Sequence, residues 1–71
     1  MKKHLHKILD ETPVLIETED GRIIPTTPIL TFMPGGKRVN YIDKDGNIIR
    51  AVPLSRTPYN TPEIKKLTPE D

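Results

Sequence analysis

Eight prolines divide this 71-residue chain into short pieces. Each lacks a backbone N–H and biases the preceding residue toward extended geometry, so a long helix has nowhere to run. Five of them follow threonine: Pro13, Pro28, Pro58, Pro62 and Pro69. Thr-Pro pairs suit turns and helix starts. They are also acceptors for proline-directed kinases, and Pro25-Thr26-Thr27-Pro28 has the spacing of a polyproline ligand. Strands, turns and short helices are what the chain can build.

Residues 39–52 hold the clearest signal, a β-hairpin. Asp43-Lys44-Asp45-Gly46-Asn47 separates two β-prone runs. A type I turn with Lys44 and Asp45 central, closed by Gly46 at positive φ, sets Asp43 opposite Asn47 and Ile42 opposite Ile48. Tyr41 then faces Ile49, and Val39 faces Ala51. Alternation puts Val39, Tyr41, Ile49 and Ala51 on one face, expected to be core. Arg38, Asn40 and Arg50 share the other with Ile42, Ile48 and Val52. Bare isoleucines at 42 and 48 need covering by a partner, a dimer mate or the chain's own tail. The same turn lacks the Gly and Glu of a calcium loop, since Ile48 and Leu54 stand in those places.

Upstream, Leu5, Ile8 and Leu9 have helical spacing, which predicts a short helix from Lys2 to Asp10, with its charges at the wrong ends for the helix dipole. Val14 to Thr18 is a strand, Glu19-Asp20-Gly21 a turn, and Arg22 to Pro25 the return, with Ile16 opposite Ile24 and Pro25 ending pairing on one side. Ile29 to Met33 suits either a strand or a helical turn. The strand is favoured because Pro34-Gly35-Gly36 follows as a hairpin turn, with Leu30 and Phe32 opposing Tyr41 and Val39. After Val52 an extended segment leads to Thr61-Pro62, the cap and first residue of one helical turn. The expected organisation is an N-terminal segment at 1–12, a β domain at 13–54 and an extended tail at 55–71.

Composition limits the chemistry. With 34% hydrophobic residues and no cysteine, the core is thin and neither disulfides nor cysteine-ligated zinc can staple it, so a dimer mate or partner would help. A net charge of +1 gives no global nucleic-acid footprint. No apolar run reaches membrane-spanning length and no signal peptide is visible, so the expectation is a cytoplasmic protein without membrane contact. His4 and His6 are the only histidines, and no cysteine or third histidine completes a metal site, although Asp10 or Glu11 could reach; Ser55 sits in a proline-rich loop without a nucleophile motif. Carboxylates can be paired at will, Glu17 with Asp43 for instance, but no spacing singles one out. Catalytic residues, metal and cofactor are all expected to be absent.

Two binding surfaces emerge. For a protein partner they are Arg38, Asn40, Ile42, Ile48 and Arg50 on the mixed face, or the tail around Tyr59. For nucleic acid, Lys37, Arg38, Arg50 and Arg56 must converge.

Gly21-Arg22-Ile23-Ile24-Pro25, Gly36-Lys37-Arg38-Val39 and Asp45-Gly46-Asn47-Ile48-Ile49 follow one another in an order similar to swapped-hairpin transcription regulators of the AbrB/MazE type. The resemblance covers about thirty residues and implies an interlocked, DNA-binding dimer with Arg22, Lys37 and Arg38 as contacts. The chain departs from it after Pro25, where Thr26-Thr27-Pro28-Ile29 replaces a charged helix, and its Gly-Arg to Pro spacing is one residue short.

The sequence therefore predicts an all-β or β-rich α+β domain, an antiparallel meander or partly open barrel of four to five strands. A short N-terminal helix and a proline-rich tail would flank it. The expected function is a small non-enzymatic binding or regulatory module of phage or bacterial accessory type, contacting an unknown protein or a second copy. The nucleic-acid regulator is the alternative.

Overall fold

The computed structural model describes residues 6–67, with His6 described by its backbone alone. Five antiparallel strands form one open sheet: β1 (His6–Ile8), β2 (Val14–Glu17), β3 (Ile23–Met33), β4 (Gly36–Ile42) and β5 (Ile48–Pro53). A 3-10 turn (Leu54–Arg56) and a one-turn helix, α1 (Pro62–Lys65), follow.

β3 is the axle. It runs eleven residues through two prolines, longer than the return strand from Arg22 to Pro25 that the sequence predicts, and Pro25 pairs on one side only, as expected. Alternation explains the tolerance. Leu9 N–H donates to Pro28 O, so even-numbered backbone groups of β3 point toward β1. Thr18 N–H donates to Arg22 O and β2 pairs in register up to Val14↔Thr26, so β2 lies along that same edge. Pro28 thus turns its missing N–H toward the point where β1 ends. Pro25 points to the opposite edge, beyond Ile42, the last β4 residue paired with β3. Each proline sits where no ladder bond is called for.

The helix expected from Lys2 to Asp10 does not form across residues 6–8, which pair with β3 as His6↔Thr31, Lys7↔Leu30 and Ile8↔Ile29. Sheet bonds replace a helix whose charges opposed its dipole. Residues 2–5 lie outside the described part. Residues 29–33 are strand, the favoured alternative, but the β3–β4 pairing is Leu30↔Val39 and Phe32↔Lys37, two residues from expectation. Pro34-Gly35 makes a tighter turn than supposed, and a shift of two preserves the faces.

The central turn forms as the residues dictate. Asp43 N–H donates to Asn47 O, Gly46 N–H donates to Asp43 O, and Gly46 has φ +86°. The Asp43 carboxylate accepts from the N–H groups of Asp45 and Asn47, each at 2.9 Å. The turn after β2 repeats the design, with Gly21 at φ +87° and Ile16↔Ile24 paired as predicted.

Beyond Ile42↔Ile48 the predicted register fails. A bulge places Tyr41 opposite Arg50 and Val39 opposite Val52. Ile49 is the extra residue, and it packs against the core. Without the bulge the small Ala51 would face inward and Val52 outward. With it, Ile49 and Val52 both reach the core, which buries more apolar surface. Ala51 is accordingly exposed, a correction to its inward assignment.

The inner face carries Ile16, Thr26, Pro28, Leu30, Val39 and Tyr41, all buried. Its second layer is the C-terminal segment, which does not trail away as an extended tail. Leu54, Tyr59, Ile64 and Leu67 pack on the same core. The Thr61 hydroxyl caps α1 by accepting from Ile64 N–H, with Pro62 first in the helix. Lys37, opposite Phe32 and so facing inward, donates from Nζ to Lys65 O at 2.6 Å and lies 5.6 Å from the Phe32 ring centre. It fastens the end of α1 to the sheet.

Candidate functional site

The outer face of the sheet has no second layer among the described residues. Register assigns its rows. Ile8, Ile29, Asn40 and Ala51 form one, Thr27, Ile42 and Ile48 the next, and Thr31, Arg38 and Pro53 a third. All five large exposed hydrophobics of the described chain, Ile8, Leu15, Ile23, Met33 and Ile48, lie on this side. Ile48 is 58% exposed and Leu15 66%. Ile29 and Ile42 between them are half-buried by their neighbours. Arg38 is the one charged residue on the outer side of the β1–β3–β4–β5 sheet among the described residues.

Asn40 sits near the middle. It is buried, and its Nδ2 donates to the Thr31 hydroxyl at 3.0 Å. No buried side-chain N or O among the described residues lacks a hydrogen-bond partner. The Asn40 Oδ1, which has no hydrogen-bond partner among the described residues, therefore keeps contact with solvent.

Of the six candidates for a protein contact, Arg38, Asn40, Ile42 and Ile48 come together here. Arg50 does not. The bulge turns it to the inner side, where its Nη2 donates to Glu17 O at 3.3 Å and ties the end of β2 to β5. Tyr59 does not either, being half-buried in the covering layer. Burial raises its phenol pKa, with Asp10 and Tyr41 adding to the shift. Ile8 and Met33 were missed. The sequence assigns Ile8 to a helix and Met33 to the end of a strand.

The basic residues of the nucleic-acid alternative scatter. Lys37 and Arg38 point to opposite faces, and Lys37 is engaged by α1. Arg22 lies in the β2–β3 turn, beside Asp20 at 3.0 Å, at the end of β3 opposite to Arg38. Arg56 is exposed on the 3-10 turn. The residues after Pro25 continue as strand, without a helix between.

Where β2 meets β5, a cleft of about 500 Å³ is lined by Glu17, Thr18, Glu19, Asp20, Ile48, Ile49 and Arg50. Asp20 and Asp43 are both shifted downward. The Thr18 hydroxyl holds Asp20 below its ordinary 3.8, with Arg22 adding to it. Backbone N–H groups, that of Asn47 foremost, do the same for Asp43. A general acid needs the opposite shift. These carboxylates serve their turns. Of the two histidines, His4 lies outside the described residues and His6 is described by backbone only. No helix among the described residues is long and apolar enough to cross a membrane. Comparison with known proteins finds no matching family model, no matching curated protein and no matching solved structure.

Proposed function

We propose that this protein is a small non-enzymatic binding module whose contact surface is the outer face of the sheet around Ile8, Ile42, Ile48 and Met33. One observation carries the reading. The large exposed hydrophobics gather on one side of the sheet, while the chain's own C-terminal segment covers the other. Monomers seldom leave a contiguous apolar patch of more than a few hundred Å² in water. A regulatory role in the cytoplasm fits a chain that uses no cysteine. Arg38, at the rim of the face, would steer approach more than it would add affinity.

A photo-crosslinking amino acid placed at Ile48, with Ser55 on the opposite layer as control, tests this in cells that express the protein. Adducts from position 48 and none from 55 are expected. Equal labelling at both positions, or none at 48, contradicts the contact face.

A further inference from the structure

Resting on that reading of the outer face, we infer that its occupant is a second copy of this chain, docked face to face about a two-fold axis along the row Ile8–Ile29–Asn40–Ala51. Three observations lead there. The first is charge. The β1–β3–β4–β5 part of the face offers a partner one described charge, Arg38, with Glu17 of β2 and the acidic turn after it confined to the edge beside Ile48, so the complement of that part is an equally uncharged surface. The chain's own face is such a surface, and a net charge of +1 sets little repulsion between copies.

The second is area. Strand rise and spacing give the four-stranded part a projected plane on the order of 400 Å². That is below the ~800 Å² that each partner contributes to a standard interface and suits a weak dimer that dissociates on dilution. The core alone is thin for 71 residues, and a mate supplies the second apolar layer that the outer face lacks among the described residues.

The third is Asn40, which fixes the axis. A polar side chain at the centre of an apolar interface must find a partner. An amide is its own complement, offering a donor and an acceptor together. On a two-fold axis Asn40 meets Asn40 of the other copy, and Oδ1 of each accepts from Nδ2 of the other. Packed sheets lie ~10 Å apart, a gap that two facing Asn side chains and one hydrogen-bond length fill. The same axis sets Ile8, Ile29 and Ala51 against themselves. It lays the Thr27–Ile42–Ile48 row over the Arg38–Pro53 row of the mate, with the arginine stems on isoleucine and their charges toward the rim.

The test uses the purified full-length chain. Sedimentation equilibrium should give a dimer, twice 8.1 kDa, that dissociates on dilution. Asn40→Asp places two carboxylates on the axis. It should weaken the dimer at least tenfold at pH 7 and recover below about pH 4 as they protonate. Ile48→Lys, at a position already exposed in the protomer, should weaken it by about a hundredfold with the circular-dichroism spectrum unchanged. The chain has no cysteine, so a short bis-maleimide, which spans what a disulfide cannot across facing sheets ~10 Å apart, should link Ala51→Cys into a dimer and leave Ser55→Cys unlinked. A chain that stays monomeric at about 1 mM, or Ser55→Cys linking as fast as Ala51→Cys, overturns the proposal. A monomeric chain whose position 48 crosslinks a heavier protein overturns the self-association and leaves the contact face standing. No crosslink from position 48 removes both.

Discussion

The two faces of this sheet are built from the same strands by alternate residues, yet only one is a core. On β3 the inward residues Thr26, Pro28 and Leu30 are buried, while the outward Ile23 and Met33 are about half exposed. Side-chain chemistry does not separate them, since isoleucine is the commoner residue outside. What separates them is the second layer. Leu54, Tyr59, Ile64 and Leu67 close one face, and no described residue closes the other. A strand pattern states that a face is apolar. It does not state what lies on top.

The contrast is sharpened most by Leu30→Ala, which removes a fully buried side chain under the covering layer. It should cost about 3 kcal/mol in urea denaturation, much of the stability of so small a domain. A loss below 1 kcal/mol would break the contrast. The bulge comes next. Val52→Ala should cost roughly 1–2 kcal/mol and Ala51→Val almost nothing, because the extra residue at Ile49 turns Val52 inward. The reverse order would restore the unbulged register. The covering layer is probed more gently by Thr61→Ala, which removes the cap of α1 and should lower stability by about 1 kcal/mol. A melting temperature unmoved by this change would detach α1 from the core.

The smallest expected effect is acid. Asp20 and Asp43 have folded pKa values below the ordinary 3.8, so their contribution is complete above that value and is lost as pH falls through the folded ones. They hold turns that serve both faces alike. Melting temperature against pH should therefore fall on that limb, and Asp43→Asn, which keeps an acceptor, should flatten it. An unchanged slope would assign the acid sensitivity elsewhere.

Much of this architecture is legible in the residues. Both Asp-Gly turns, the Ile16–Ile24 pair and the Thr61-Pro62 helix start follow from local chemistry, because each depends on neighbours within a few positions. Three features do not. The bulge at Ile49 trades one regular ladder step for a larger buried side chain, a choice only the assembled core makes. Pro25 and Pro28 look like breakers until the edge each faces is known. The strand at His6–Ile8 has helical spacing and is decided by its pairing with β3. The candidate site was half legible. Alternation around the turn gave Arg38, Asn40, Ile42 and Ile48, and the bulge took Arg50 away. Ile8 and Met33 could have been found by continuing the same alternation across β3.

The central claim, that the outer face is spare in the protomer and used between copies, is tested most directly by urea denaturation across protein concentration. The chain would be compared with a variant carrying Ile8→Thr, Ile42→Thr and Ile48→Thr, which keeps β-branched residues on the strands. The wild-type midpoint should rise with concentration, as mass action on a dimer requires, and the variant's should not. At the lowest concentration the two should nearly coincide. A wild-type midpoint independent of concentration, or a variant less stable by several kcal/mol at every concentration, would contradict the account.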